Sequence, residues 1–249
     1  MRLAAIYNVW ADGIDLLQQS IDNIRPVVDG VIVVYSWESN LGNGQWYELP
    51  KACTLVRCEP KGGSPHDNET RKRNAGLEQA KLMGFTHFLM MDSDEFYNQG
   101  EVNEAKIWIE KSDVVGTVCK TKLYFAKPTL TIGYHHTIVP FIHKLTPNLQ
   151  YGFNNRRYPY AIDVQGVAHI DPTRRVNITS GVFWIDITMH HYSWVRKDVM
   201  LKINNSSAGS YRKKADMILA DLANAAPGYF CQLYQTELQE CENIFGINI

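Results

Sequence analysis

A short apolar run that ends in three carboxylates constrains this chain more than any other feature. The run Phe88–Met91 is followed at once by Asp92, Ser93, Asp94 and Glu95. Continuous apolar segments of this length are typical of strands buried on both faces of a parallel sheet. In open α/β sheets, ligands bind at the carboxyl ends of the strands. The pattern therefore predicts a site there, and its oxygen ligands suit Mg²⁺ or Mn²⁺ with a bound diphosphate.

The bulk composition is that of an ordinary globular protein. The 249 residues are 45% hydrophobic and 20% charged, which favours one domain over residues 1–249. No run approaches the roughly 18 apolar residues that a membrane helix needs. The amino terminus lacks a signal-peptide pattern, so we expect a cytoplasmic protein. Five cysteines without a Cys-x-x-Cys pair predict reduced, packed thiols rather than a zinc site.

The first 100 residues alternate between strand and helix patterns. Apolar, β-branched runs predict four strands, at Leu3–Val9, Val31–Tyr35, Thr54–Cys58 and Thr86–Met91. Helical spacing predicts one helix that ends before Pro26 and a second over Glu69–Met83, capped by Asn68. This order predicts an α/β fold with a Rossmann-like, mostly parallel sheet flanked by helices.

Beyond residue 100 the patterns are weaker. Residues 101–212 are expected to form an irregular acceptor-binding half, and residues 213–249 a C-terminal helical segment. Residues 126–180 show no sustained period. The elements predicted in this half are helices over Glu101–Glu110, Lys197–Ile203 and Lys213–Asn224, one strand or a strand pair over Val114–Phe125, and a strand over Val182–Met189.

Charge is distributed unevenly along the chain. Residues 1–119 carry a net charge of −6, residues 120–214 carry +10 and residues 215–249 carry −5. A basic middle third suggests contact with an anionic partner. The alternative is a solvated basic face that the acidic segments balance.

Two histidine groups are candidate metal ligands. His190 and His191 follow the Val182–Met189 run, and imidazole readily completes a Mn²⁺ coordination sphere. The alternative is a histidine packed at the edge of the sheet. A second group, at His135, His136 and His143, lacks the His-Glu-x-x-His spacing of zinc hydrolases and is expected to pack in the core or an acceptor cleft.

Three segments together resemble a known enzyme family. They are Glu69–Leu77, Phe88–Glu95 and His191–Arg196. They are similar to family 2 glycosyltransferases with the GT-A fold, with an Asp-x-Asp motif and a late metal-binding histidine. The resemblance is good over residues 1–100, thin over 100–180, and returns at 183–200. It implies transfer of a hexosyl-type sugar from a nucleotide-sugar donor, in our interpretation a UDP-sugar, to a hydroxyl with Mn²⁺ or Mg²⁺ bound.

The resemblance also implies roles for individual residues. Asp94 and His191 would hold the metal, and Asp92 would touch the metal or the ribose. The chain departs from many relatives after its second strand, where Glu38 is the nearest acid. The donor-binding residues implied in this way are Tyr7, Asn8, Val9, Trp10, Glu38, Arg73, Asn74, Asp92 and Ser93.

The catalytic groups are less well marked by the sequence. Asp94 is counted among them because a cation held there neutralises the departing diphosphate. An inverting transfer also needs a base that takes the proton of the acceptor hydroxyl. Asp163, Asp171 and Asp186 are the candidates for that base, and the sequence does not rank them.

The acceptor prediction depends on basic residues with interleaved aromatics, a pattern that suits an anionic glycan or a nucleic acid. One such acceptor is a hydroxymethylated DNA base, as for some phage enzymes; to reach that hydroxyl this protein would have to extrude the base. The acceptor-binding candidates are Arg156, Arg157, Arg174, Arg175 and Trp194.

Two other functions remain open. A nucleotidyltransferase usually has a Gly-rich, basic loop after its first strand, and residues 8–13 lack one. A non-catalytic glycan- or nucleic-acid-binding protein is disfavoured by the intact Asp92, Asp94 and His191.

Overall fold

The computed structural model describes residues 1–152, 154–162, 166–167, 169–207 and 209–249. Short 3-10 turns lie at Ala11–Gly13, Arg25–Val27 and Pro172–Arg174. The helices are α1 (Ile14–Ile24), α2 (Pro65–Leu82), α3 (Gln99–Ser112), α4 (Val199–Asn205), α5 (Ser210–Lys213) and α6 (Ala215–Ala223). The strands are β1 (Leu3–Val9), β2 (Gly30–Tyr35), β3 (Thr54–Arg57), β4 (His87–Asp92), β5 (Glu95–Phe96), β6 (Gly116–Phe125), β7 (Lys127–Lys144), β8 (Val182–His191), β9 (Phe230–Cys231), β10 (Thr236–Glu237) and β11 (Gln239–Glu240).

Within the described residues, nine strands form one mixed sheet in the order β3-β2-β1-β4-β7-β6-β8-β5, with β11 beside β7. Strands β3, β2, β1 and β4 are parallel, as predicted; β2, β1 and β4 are largely continuous apolar runs, whereas β3 alternates between half-buried and exposed residues. Strand β7 then pairs antiparallel with both β4 and β6. The expected α/β fold, with a large central sheet flanked by helices, is confirmed. The sheet is parallel in its first half and mixed in its second.

Helix α2 begins earlier than the sequence predicts, because Ser64 rather than Asn68 is its N-cap. The Asp67 N–H donates to Ser64 Oγ, and the Ser64 N–H donates to Asp67 Oδ2, each at 3.1 Å. This reciprocal capping box satisfies two backbone donors at the helix start. Asn68 is buried instead, where its side chain bonds to the Lys61 N–H and the Asn40 carbonyl.

The helices pack on both faces of the sheet. Apolar residues of α1 and α3 cover one face, and Leu77 and Ala80 of α2 cover the other. Gly76 permits close contact between α2 and the sheet, because a Cβ atom there would lie 2.4 Å from Ile6 Cγ2 and 3.0 Å from Val34 Cγ2. Such overlap forces side chains to shift, so any larger residue at this position destabilises the packing of α2 on the sheet.

The second half contains more strand than expected. Strand β6 is one long strand, but the 18-residue strand β7 falls in a region where the sequence shows no sustained period. The ladder between β6 and β7 has several register shifts, and each shift breaks the alternation that marks a strand.

The C-terminal segment is helical only in part. Within residues 213–249, α6 ends at Ala223, and the short pair β9–β10 and strand β11 follow. Pro227 has no backbone N–H and Gly228 has a positive φ of 80°, so neither continues the helix, and β11 gains backbone hydrogen bonds by pairing with β7.

Strand pairing brings distant residues to the same edge of the sheet. Asn8 lies opposite Asp92 in the parallel β1–β4 pair, so both are at the carboxyl ends of neighbouring strands. Glu95 lies opposite His191 in the antiparallel β5–β8 pair. The Tyr192 N–H also donates to the Asp94 carbonyl, at 2.8 Å.

In the described part of the chain, no helix has the length and apolar character needed to span a membrane.

Candidate functional site

A cavity of about 240 Å³ opens at the carboxyl ends of β1 and β4. The polypeptide segments around it come from both halves of the chain, which the sheet brings together. Its lining residues are Asn8, Val9, Trp10, Asp12, Gly13, Ser39, Asn40, Glu69, Lys72, Asp92, Ser93, Asp94, Asp171, His191, Ser193, Arg196, Lys202, Asn205, Ser206, Ser207 and Tyr211.

Asp94 is the most heavily paired carboxylate of this cavity. Its Oδ2 accepts hydrogen bonds from Arg196 Nη2 at 2.6 Å and from Lys202 Nζ at 3.2 Å. Its Oδ1 lies 3.4 Å from His191 Nε2. Burial alone would raise the pKa of Asp94, but Lys202, His191 and Arg196 outweigh burial and hold this pKa well below its ordinary value. Asp94 is therefore a carboxylate at neutral pH.

Asp92 and Glu95 are held by arginines behind the cavity. Asp92 accepts from Arg73 Nη2 at 3.3 Å and from Arg174 Nη2 at 2.5 Å. Arg174 also forms an ion pair with the buried Glu95. Burial opposes ionisation of Asp92, but Arg174 and Arg73 overcome it and lower the pKa of Asp92 to about 2. Burial raises the pKa of Glu95 in spite of Arg174.

A cation at this site would meet a small set of protein ligands. Asp94 Oδ1 and His191 Nε2 both belong to lining residues, and a carboxylate oxygen with an imidazole nitrogen suits Mn²⁺. Asp92 is less suited, because each of its oxygens already accepts from an arginine. Within the described residues, no cluster of three or more His, Cys, Asp or Glu side chains is arranged to hold a metal ion. A bound cation would therefore need further ligands from the substrate.

Three basic side chains line the same cavity, at Lys72, Arg196 and Lys202. Lys72 Nζ donates to the Val9 carbonyl at 3.0 Å and to Ser36 Oγ at 3.1 Å. Burial lowers the pKa of Lys72 to about 8, although nearby carboxyl groups oppose the shift. The sequence indicates Lys72 only as part of a basic helix turn, and Lys202 carries no signal of its own, because its position depends on where α4 packs.

The predicted donor-binding residues divide into two groups. Those that line the cavity are Asn8, Val9, Trp10, Asp92 and Ser93.

The other predicted donor residues have different positions. Tyr7 is fully buried and its hydroxyl bonds to Ser20 Oγ, whereas Glu38 is exposed outside the cavity. Arg73 lies behind Asp92 rather than at the cavity surface. The Asn74 side chain bonds to the backbone of Tyr151, between α2 and the following half. Ser39 and Asn40 line the cavity on the side where the sequence indicates Glu38.

A second cavity, of about 370 Å³, adjoins the first. The two share five lining residues, namely Asp92, Asp171, His191, Ser193 and Tyr211. The other residues of the second cavity are Glu95, Thr121, Leu123, His135, Thr137, Ile138, Val139, His169, Ile170, Pro172, Arg174, Met189 and Tyr234.

The three candidate bases are in different places. Asp171 lines both cavities, and its Oδ1 accepts from the Thr173 N–H and hydroxyl, each at 2.7 Å. Asp186 is 83% exposed, pairs with Lys120 at 2.6 Å and lines neither cavity. Asp163 lies outside the described residues.

The predicted acceptor residues are mostly away from the cavities. Arg174 lines the second cavity but is engaged by carboxylates, and Arg156 and Arg157 are exposed and line neither cavity. Arg175 and Trp194 are each 1% exposed, so they cannot offer an open binding surface. Arg175 donates to the Ile170 carbonyl, and Trp194 Nε1 donates to the Tyr234 hydroxyl at 2.8 Å.

No protein-family model matches the chain, and no curated protein matches it. Several solved structures are similar to it at low sequence identity. TarS 1–349 of S. aureus is 13% identical, with 90% of this chain and 71% of that chain covered and a TM-score of 0.44. The complex of TarS 1–349 with UDP-GlcNAc gives 13% identity, 90% and 72% coverage, and a TM-score of 0.45. The mannose-1-phosphate geranyltransferase from Thermus thermophilus gives 12% identity, 59% and 51% coverage, and a TM-score of 0.33. Because all three TM-scores are below 0.5, we draw no functional conclusion from these likenesses.

Proposed function

We propose that this protein is a glycosyltransferase that moves a sugar from a nucleotide-sugar donor to a hydroxyl of an acceptor. One observation carries the proposal. Two cavities meet at Asp92, Asp171 and His191, at the carboxyl end of a parallel sheet. The first has the charged groups that a nucleotide diphosphate needs, and the second has room for an acceptor.

Unpaired polar atoms support a nucleobase in the first cavity. Asn8 Oδ1, Trp10 Nε1 and Asn40 Oδ1 are buried atoms of lining residues, and none has a hydrogen-bond partner within the described residues. An unsatisfied buried polar group costs about 1–3 kcal/mol. The uracil of a nucleotide offers one N–H donor and two carbonyl acceptors, so it would pair with Trp10 Nε1 and with one of the two amide oxygens after small side-chain rotations.

The proposed cofactor is Mn²⁺ or Mg²⁺, bound by Asp94 and His191. When bound, the cation supplies positive charge to the departing diphosphate. Asp94 is kept ionised by its basic neighbours, and it remains available at Oδ1. Asp92 has a supporting role in this proposal, as a carboxylate fixed by Arg73 and Arg174 at the rim of both cavities.

The proposed catalytic base is Asp171, because it lines both cavities. Its carboxylate takes the proton of the acceptor hydroxyl while the acceptor oxygen forms a bond to the anomeric carbon. The bond from that carbon to the phosphate oxygen breaks, and its electron pair leaves with the nucleoside diphosphate. The Thr173 N–H fixes Asp171 at Oδ1, where the Thr173 hydroxyl, shared with Glu69 Oε1, also lies within hydrogen-bond distance, and Oδ2 is left for the proton.

The lining of the second cavity supports a neutral, hydroxyl-rich acceptor over an anionic one. Within the described residues, its single Lys or Arg is Arg174, which is already paired with Asp92 and Glu95. Carboxylates, histidines, threonines and tyrosines supply the remaining polar contacts. A modified DNA base would bring phosphates close to these acids, so the hydroxymethylated-DNA acceptor becomes an alternative that experiment decides.

The test is release of a nucleoside diphosphate from a panel of UDP-, GDP-, CDP- and dTDP-sugars with Mn²⁺ present. We expect slow release from one donor and faster release when neutral sugars are added as acceptors. Faster release with hydroxymethylated DNA, but not plain DNA or free sugars, would replace the neutral acceptor with a DNA base. Absence of both release and calorimetric binding for every donor would falsify the proposal. Pyrophosphate release from a nucleoside triphosphate and a sugar phosphate would instead support a nucleotidyltransferase.

Two aspartates provide a matched pair of variants for the catalytic base. Asp171→Asn should lower kcat by about 10²- to 10⁴-fold, the usual contribution of a general base, with donor affinity retained. Asp186→Asn, in the exposed pair with Lys120, should behave as the wild type. Equal effects of the two substitutions would remove Asp171 from the mechanism.

A further inference from the structure

Lys202 is a nearly buried ammonium group whose hydrogen-bonding capacity is mostly unused. Its side chain is 12% exposed and lines the first cavity. An ammonium group has three N–H donors. One donates to Asp94 Oδ2 at 3.2 Å, and the other two have no hydrogen-bond acceptor among the described residues. The ring of Trp194, centred 5.7 Å from Nζ, packs beside it.

The neighbouring guanidinium is bonded differently. Arg196 donates through Nε to the Ser193 carbonyl, through Nη1 to the Asp12 carbonyl, and through Nη2 to Asp94. All three nitrogens of the Arg196 guanidinium are therefore hydrogen-bonded. Its distance to Asp94 Oδ2, 2.6 Å, is shorter than the 3.2 Å from Lys202 Nζ. Arg196 is fixed by the fold, whereas Lys202 shares a carboxylate that another cation already holds.

Lys202 shares its carboxylate with a second cation. The cavity has five carboxyl groups in its lining; those of Glu69 and Asp92 are paired with Arg73 and Arg174, and that of Asp94 is shared by Arg196 and Lys202. Burial and the adjacent Arg196 lower the pKa of Lys202, although Asp94 and Asp12 oppose the shift. A nearly buried ammonium group that shares its carboxylate with another cation is stabilised by an anion that binds beside it. A diphosphate supplies such an anion and oxygen acceptors for the free N–H groups.

Helix α4, which carries Lys202, and the residues just after it also contact the opposite side of the cavity. Asn43 Nδ2 donates to Asn205 Oδ1 at 2.7 Å, and Asn40 Nδ2 donates to Ser207 Oγ at 3.2 Å. The helix and the loop after β2 are therefore joined across the first cavity. This connection fixes the backbone of α4 while the flexible end of Lys202 stays free to turn toward a ligand.

We propose that Lys202 binds the diphosphate of the nucleotide donor directly, so that nucleoside diphosphates bind even without a divalent cation. This inference rests on the proposed function. On binding, the ammonium exchanges its contact with Asp94 for contacts with phosphate oxygens, which leaves Asp94 to Arg196 and to the metal.

The test is calorimetric titration of the full-length protein with UDP, GDP, CDP, ADP and dTDP, each in EDTA and in Mn²⁺. We expect the best-bound diphosphate to bind in EDTA. Lys202→Met keeps the aliphatic packing on Trp194 and should weaken that binding by about 10- to 100-fold, as loss of a charge-assisted hydrogen bond predicts. Lys202→Arg should retain most of it. Lys197→Met, an exposed site outside both cavities, is the matched control and should equal the wild type.

The corresponding nucleoside separates binding from a structural role. Its affinity should be the same in the wild type and in Lys202→Met, because it has no diphosphate. An equal loss for nucleoside and diphosphate would mean that Lys202 only maintains the cavity, and the inference would be overturned. The inference about Lys202 would also be overturned if diphosphate binding required Mn²⁺, or if Lys202→Met bound the diphosphate as tightly as the wild type. The proposed function would stand in both cases. Failure of every nucleotide and nucleotide sugar to bind would instead remove the proposed function itself.

Discussion

Replacing Arg174 by methionine removes the cation that Asp92 and Glu95 share. Arg174 is 7% exposed and Glu95 is 1% exposed, so the pair is shielded from water. Arg73 remains 3.3 Å from Asp92 after the change. Glu95 is therefore the carboxyl group that loses its only cation among the ion pairs of the described residues. Methionine keeps much of the apolar volume, so the substitution tests charge more than packing.

Removing one partner of a buried ion pair costs about 3–5 kcal/mol of unfolding free energy. Because Arg73 still forms an ion pair with Asp92, we expect a loss at the lower end of this range, about 3 kcal/mol at pH 7. Adding Glu95→Gln to Arg174→Met should recover most of that loss, since a neutral amide needs no cation. The assay is urea denaturation followed by circular dichroism, for the wild type, both single variants and the double variant.

The pH dependence of the loss has a definite sign. In the wild type the pKa of Asp92 is about 2, below its ordinary 3.8, so this carboxylate stabilises the fold above pH 3.8 and ceases to do so as the pH falls toward 2. In Arg174→Met the pKa of Glu95 rises further, so the destabilisation grows as the pH rises above 4.5 and shrinks at pH 4. A loss under about 1 kcal/mol at pH 7, or a larger loss at pH 4, would refute the buried-pair argument.

Four other outcomes follow from the same structure. Ser64→Ala should cost about 1 kcal/mol in urea denaturation, because it removes the capping box of α2. Gly76→Ala should cost about 1–3 kcal/mol in the same assay, since the new methyl group would overlap Ile6. Mn²⁺ should bind measurably tighter when a nucleoside diphosphate is present, because Asp94 and His191 supply few ligands; His191→Ala should abolish that enhancement in calorimetry. Donor binding should weaken as the pH rises above about 8, where Lys72 loses its proton, and Lys72→Arg should remove this decline.

The sequence was sufficient for the first half of the fold, because its elements are encoded locally. Strands β1, β2 and β4 are largely continuous apolar runs, and the acids at the carboxyl end of β4 directly follow its apolar residues in the sequence. The proximity of Asp94 and His191 was expected from the family resemblance alone, because it depends on the long-range pairing of β5 with β8. Strand β7 could not be predicted from the sequence, because its bulges interrupt the two-residue period on which strand prediction depends.

The electrostatics of the site could not be obtained from sequence. The basic middle third suggested an anionic partner, yet Arg174, Arg196 and Lys202 are paired with Asp92, Glu95 and Asp94 in the first half of the chain. These pairs join residues about 80 to 108 positions apart, and only the packing of the second half on the first brings them together. Arg175 is likewise buried, and it donates to the Ile170 carbonyl. A charge count along the chain cannot distinguish such internal pairs from a binding surface.

The central claim is that donor and acceptor meet where the two cavities join. A crystal structure with the nucleotide sugar that gives diphosphate release, or an inert analogue of it, tests this most directly. We expect the nucleobase beside Asn8 and Trp10, the diphosphate beside Asp94 and His191, and the anomeric carbon facing Asp171 at the junction. A donor whose sugar lies away from that junction, or whose diphosphate binds outside the first cavity, would contradict the proposed function.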